Sequence, residues 1–180
     1  MKMKEINALL NLSYNSINSD LRFAETKNTF LVTFNSVIIG IIVAFLKEKQ
    51  QIEYLSKFIL IVFSLLVLIA TLLSVFSFVP LNKIRKFFKA TCNSTTPNFM
   101  FYLYNASNFR VNDKERYNKF KKELINNCNP EEEFSFFEEQ LIFQIVDLSN
   151  IAFTKFKLFS LAIRVEFIAI IIFALFIIIA

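Results

Sequence analysis

Apolar residues fill three long stretches of this chain, at residues 29–46, 58–80 and 158–180, with polar sequence between them. A bilayer core about 30 Å thick needs about 20 apolar residues in a helix that crosses it. Residues 58–80 carry no charge and are long enough by themselves. Residues 29–46 sit near the lower limit. The 14 residues from Phe167 to Ala180 make about 21 Å of helix, too short alone. Extension back to Leu158 gives 23 residues, about 34 Å, and takes in Arg164 and Glu166. This is expected to be a span whose inner turns lie at headgroup level, where Arg164 snorkels. The first stretch is too long for a signal-peptide core, and no small-residue cleavage site follows it, so it is expected to be retained.

Outside the spans the pattern is helical. Ile6, Leu9, Leu10, Leu12, Ile17, Leu21 and Ala24 recur at rough helical spacing. They run into the first span without a breaker, which predicts one helix over 5–46. Pro80 is expected to end or kink the second span. Residues 91–98 form a polar loop. The aromatic run Phe99-Met100-Phe101-Tyr102-Leu103-Tyr104 is expected as a short strand or extended segment. Asp113 suits an N-cap for a charged helix over 114–127, which Asn129-Pro130 breaks. Glu131, Glu132 and Glu133 would then open a last helix that continues to Ala180.

The fold expected is an all-α membrane protein. Its three transmembrane helices occupy 29–46, 58–80 and 158–180, and its external link 47–57. The first and last spans continue as long cytosolic helices, 1–28 and the end of 81–157, with a small helical module in the remainder of 81–157. The cytosolic total suffices for one small core.

Charge sets the expected topology. Of the 20 Lys and Arg, 12 lie in 81–157, and the net charge is +5. The positive-inside bias places the N-terminus and 81–157 in the cytosol and the C-terminus outside. Lys83, Arg85, Lys86 and Lys89 directly follow the second span, as an anchor on anionic lipid should. The basic balance is thus a topology and lipid signal, and nothing marks a nucleic-acid interface. Cys92 and Cys128 fall in the cytosolic part and are expected to be free thiols. The chain has no His, which excludes a Cys/His zinc site and any mechanism with a His base. No metal, no cofactor and no enzymatic activity are expected.

Several positions stand out. Arg22 and Glu25 share a helix face at i,i+3, close to Lys27 at the entrance to the first span. They read either as a surface ion pair with an interfacial lysine or as an anion site. Ser36, Gly40 and Ala44 repeat at four-residue spacing, which permits close helix packing. Asn35 should face a partner helix, in this chain or another. Gln144, Ser149 and Lys155 are polar positions amid apolar ones, an ordinary polar face or part of a site. The aromatic run is either core or a stacking platform.

These residues also carry a resemblance. Arg22-Phe23-Ala24-Glu25-Thr26-Lys27 before a first span resembles the R-F-A-[DE]-x-K feature of the transmembrane effectors of Pycsar anti-phage systems. Two clustered spans follow, then an aromatic run with Phe101, Tyr102 and Tyr104. Gln144-Ile145, Leu148-Ser149, Ile151-Ala152 and Lys155-Phe156 then lead into a last span, similar to the family's Q-I-x-x-L-[SA]-x-I-x-x-x-K-[YF] stretch. Leu103-Tyr104-Asn105 departs from the small residue and polar partner that often follow the family's aromatic pair. The resemblance covers roughly residues 9–180. It implies an effector of the bacterial inner membrane, working as a homo-oligomer. Such an effector binds cyclic CMP or cyclic UMP from a partner cyclase, disturbs the membrane and arrests the cell before phage matures. It also implies that Arg22, Glu25, Lys27, Tyr102, Gln144 and Lys155 contact the nucleotide. A membrane scaffold or partner-binding subunit without a ligand is the alternative, as is an effector gated by a cyclic oligonucleotide.

Overall fold

The computed structural model describes residues 3–48, 54–79, 98–109, 113–128 and 134–179. It contains α1 (Met3–Glu48), α2 (Tyr54–Phe76), α3 (Tyr102–Asn108), α4 (Asp113–Cys128) and α5 (Phe136–Ile179), with no strand among the described residues. Within α1, α2 and α5 lie segments long and apolar enough to cross a membrane. The single long helices expected at the start and end of the chain are both present. Pro80, the basic cluster 83–89, the polar loop up to residue 97, Cys92 and Asn129-Pro130 lie outside the described residues.

Three boundaries differ from expectation. The second span leaves α-helix at Phe76 and tightens into i→i+3 turns, with Ser77, Phe78 and Val79 donating to the carbonyls of Ser74, Val75 and Phe76. The aromatic run is not extended: a turn at Phe99-Met100 leads into α3. The Asn105 amide donates to the Phe99 carbonyl at 2.7 Å, and the Ser107 and Asn108 side chains donate to the Tyr104 carbonyl. These local bonds satisfy the backbone of a helix too short to stand alone. Finally, α5 begins at Phe136, not at Glu131. Ser135 and Glu138 form a capping box. The Ser135 backbone N–H and hydroxyl donate to the Glu138 carboxylate at 2.6 and 2.9 Å, and the Glu138 N–H donates back to the hydroxyl at 3.4 Å. Two reciprocal bonds define this start better than the acidic run upstream does.

The chain divides into two compact units. The first is Met1–Ala24 with Leu81–Lys155; the second is Glu25–Pro80 with Phe156–Ala180.

The first unit has its own core. Ile6, Leu10 and Ile17 of α1 meet Phe120 and Leu124 of α4, Ile142, Ile145 and Val146 of α5, and Phe99, Tyr104 and Phe109 around α3. Phe120 is its hub, edge-on to Phe99 at 5.2 Å and to Phe109 at 4.9 Å between centroids. Such pairs add to a burial worth roughly 1.5–3 kcal/mol per large side chain. Polar contacts ring this core. Tyr104 hydrogen-bonds Glu123, and Lys121 pairs with Glu139 at 2.6 Å.

The second unit is held by seams with a 3.5-residue period. On α2 the buried positions are Leu60, Phe63, Val67, Ala70, Ser74 and, just past the helix, Ser77. On α1 they are Asn28, Leu31, Asn35 and Ile42, and on α5 Leu158, Ala162, Glu166 and Ala169. Ile42, Phe63, Val67 and Ala169 form one cluster, joined by Ile38, Ile39, Leu46, Leu66 and Phe173. Phe63 stacks on Phe173 at 4.8 Å. The opposite faces expose Phe30, Phe34, Val37, Ile41, Phe58, Ile61, Leu65, Leu68, Phe167 and Ile171, as a lipid-facing surface requires. Ser36, Gly40 and Ala44 lie on that exposed surface. A Cβ at Gly40 would meet nothing of the described residues within 4 Å, and all three stripe residues are exposed among the described residues.

Candidate functional site

The six candidate ligand residues fall in both units. In the first unit, Arg22 and Gln144 are exposed, Tyr102 is half-buried and Lys155 is buried. Tyr102 packs against the core and stands edge-on to Phe101 at 5.3 Å. Burial first, and then the neighbouring Asp20 carboxylate, raise its phenol above the usual range. Burial also raises Asp20. This tyrosine therefore stays a neutral hydrogen-bond donor with one ring face fixed by packing.

Lys155 closes a buried polar stretch of α5 with Ser149, Asn150 and Thr154. The last three donate to carbonyls four residues back, those of Ile145, Val146 and Asn150, at 2.7, 2.7 and 2.8 Å. Helix back-bonding thus satisfies their donors inside the unit. Gln144, Ser149 and Lys155 do not form one polar face: the first is exposed and the other two are buried. Two further cations of this unit, Lys119 and Lys121, are held by neighbours. Lys119 donates to the Asn108 carbonyl at 2.9 Å, and Lys121 pairs with Glu139 and lies over the Phe134 ring at 5.7 Å.

In the second unit, Glu25 and Lys27 are half-buried. The Lys27 ammonium stands 5.7 Å from the Phe156 ring centroid and 5.5 Å from that of Phe159. Two aromatic faces thus hold a cation at the entrance to the first span. Deeper along the same helices, Asn35 and Glu166 are buried side by side. Their polar atoms are not in hydrogen-bonding geometry with each other or with any other described residue. Glu166 therefore lies inside the helical bundle, while Arg164 is exposed.

Sequence reasoning missed three features: Asp20 beside Tyr102, the buried Asn150 and Thr154, and the Glu166–Asn35 neighbourhood. A charged residue at a seam position, one heptad from apolar ones, was the available signal for the last. Arg22, Tyr102 and Lys155 belong to the same unit. Among the described residues no cluster of acidic or thiol side chains is arranged to hold a metal ion, and Cys128 is a free thiol.

Comparisons with known proteins add the family. No curated protein and no solved structure matches this chain. A family model described as the Pycsar effector protein domain, PycTM, matches residues 9–180. That match takes in all of α2 to α5 and most of α1, including Arg22 to Lys27 and Gln144 to Phe156, and the chain belongs to the Pycsar effector family.

Proposed function

We propose that this protein is an anti-phage effector that binds cyclic CMP or cyclic UMP from a partner cyclase and then breaches the inner membrane, arresting the infected cell. The family supports a cyclic-nucleotide signal from a cyclase. In this reading the N-terminus and the first unit are cytosolic and the C-terminus is external. Arg22 and Lys155 contact the cyclic phosphate and Tyr102 stacks on the base. Gln144 reads the base edge, and Glu25 and Lys27 take part as members of the family motif. The protein works by binding, as a homo-oligomer, and catalyses nothing.

One observation carries this reading beyond the family name. Helices α1 and α5 each supply residues to both units. A change of packing in the first unit has an unbroken helical backbone along which to reach the spans. The nucleotide shifts that equilibrium only by its differential affinity for the two packings.

The test is calorimetric titration of the full-length protein in detergent with cyclic CMP, cyclic UMP and cyclic AMP. One pyrimidine nucleotide should bind saturably and cyclic AMP should not. A charge-assisted hydrogen bond is worth about 1.5–3 kcal/mol, so Arg22→Ala and Lys155→Ala should each weaken binding about 10- to 100-fold. Absence of binding by both pyrimidine nucleotides would overturn the proposal.

A further inference from the structure

The spans of α1 and α2 contain no charged residue, and that of α5 contains only Arg164 and Glu166. These two lie about 200° apart around the helix, and Arg164 points outward while Glu166 is only 3% exposed. An ionisable side chain held inside a membrane bundle marks a functional position more often than a packing one, because burying it there is costly.

The surroundings of Glu166 are polar but unsatisfied. Hydroxyls elsewhere in the spans donate to their own helix. Thr29, Thr33, Ser36, Ser64 and Thr71 bond the carbonyls four residues back at 2.7–3.0 Å. The interior seam behaves differently. Both oxygens of Glu166, both polar atoms of the Asn35 side chain and the hydroxyl of Ser74 have no hydrogen-bond partner among the described residues.

Register sets Glu166 and Asn35 at one level, with Ser74 nearby. Ile42 packs with Phe63, Val67 and Ala169. One heptad further toward the N-terminal end of α1 are Asn35 on α1, Ala70 and Ser74 on α2, and Ala162 on α5. Glu166 adjoins Asn35 there. A carboxylate and an amide oxygen thus adjoin inside the seam, with the Ser74 hydroxyl about one helical turn away, and no cation of the described residues is bonded to the carboxylate. Such an all-oxygen set suits a hard cation. A single carboxylate falls short of the charge that divalent sites usually gather.

We propose that Glu166, with Asn35, forms an intramembrane site for a monovalent alkali cation, and that sodium or potassium passes it when the effector acts. This rests on the membrane-breaching role proposed above and adds its chemistry: the leak is cation-selective, and one carboxylate sets the selectivity. In the resting chain the layer is closed inside the seams. Movement of α1 or α5 opens it to water, which then completes the unsatisfied groups.

The experiment uses full-length protein in lipid vesicles holding a KCl gradient, with cyclic CMP or cyclic UMP added and the potential read by a voltage-sensitive dye. The wild type should give a nucleotide-evoked potential of the sign set by K⁺. Glu166→Gln should lower the K⁺/Cl⁻ permeability ratio by roughly tenfold, since charged side chains at a constriction set ion sign. Glu166→Lys should reverse the sign, and Glu166→Asp should retain the wild-type preference. Unchanged nucleotide binding by each variant shows that it is folded. A nucleotide-evoked leak whose ratio ignores Glu166→Gln and Glu166→Lys overturns this inference and leaves the effector role standing. A pH-gradient collapse without K⁺ flux overturns the alkali-cation assignment. No evoked leak from the wild type overturns the inference and the membrane-breaching role together.

Discussion

Phe120→Ala isolates the first unit from the rest of the chain. Phe120 is fully buried, and its ring meets Phe99 and Phe109 edge-on at 5.2 and 4.9 Å. Truncation deletes the burial of a large aromatic, two ring pairs and the support beneath Tyr104, which itself packs on Phe99 and Phe109 at 6.3 and 6.1 Å. Buried Phe→Ala changes cost about 3–5 kcal/mol. Little here can collapse into the void, because three of the rings around it are pinned by one another, so the upper half of that range is expected. At 1.4 kcal/mol per decade this is about three to three and a half decades in the local opening equilibrium. The assay is amide hydrogen exchange on full-length protein in detergent, with peptides from α4 and α2 compared. Exchange in α4 should rise a hundredfold or more until it reaches the limit of the fully open unit. Exchange in α2, which belongs to the second unit, should keep its wild-type rate. An α4 rate within tenfold of wild type, or equal acceleration in α2, would refute the reasoning. The first result denies Phe120 its central role, and the second denies the division into two units.

Other expectations concern caps, charge and the exposed stripe. Ser135→Ala removes the hydroxyl arm of the capping box, leaving the backbone N–H to the Glu138 carboxylate, and should cost about 0.5–2 kcal/mol, read as faster exchange confined to the first turn of α5. Hydrogen bonding from Lys121, and then from Tyr117, holds the Glu139 carboxyl below its ordinary 4.5. A depressed folded value gives stability that is present above the unfolded value and lost as pH falls below it. Protection of the first unit should therefore decline as pH drops from about 5.5 toward 3, and Glu139→Gln should flatten that decline. Asp20, raised by burial, works in the opposite sense, losing stability as pH rises past its unfolded 3.8, and should remain visible in the Glu139→Gln variant. Gly40→Ala should stabilise the helix by up to about 1 kcal/mol, because no described atom lies within 4 Å of the added methyl. If Gly40→Leu abolishes chemical cross-linking between copies while leaving thermal unfolding unchanged, the stripe is an interface between chains; loss of thermal stability would show that it packs within one chain.

The gross architecture was legible because membrane spans leave a long signal and α1 has no Gly or Pro before residue 40. The seam of α1 follows the same logic: Ile6, Leu10, Ile17, Ala24, Leu31 and Ile42 are all buried. The aromatic run was not legible. Phe99 to Tyr104 has neither a period of two nor one of 3.6, and α3 rests on side-chain bonds from Asn105, Ser107 and Asn108 that only the folded turn creates. The start of α5 was readable in Ser135-x-x-Glu138, but the three consecutive glutamates upstream mimic a first helical turn and drew the boundary to Glu131. The stripe Ser36, Gly40 and Ala44 invited close packing by residue size. The 3.5-residue period instead turns Leu31, Asn35 and Ile42 inward and leaves the stripe outside. Candidate contacts at Arg22, Lys155 and Tyr102 came from the family motif. Nothing in local sequence says that Lys155 is buried while Gln144 is not.

The α2 seam runs from Leu60, Phe63 and Val67 to Ala70, Ser74 and Ser77. Bulky side chains that interlock occupy one end, and short ones with little dispersion energy occupy the other. The grip on α2 is therefore uneven: firm at the Phe63–Phe173 stack and slack past Ala70.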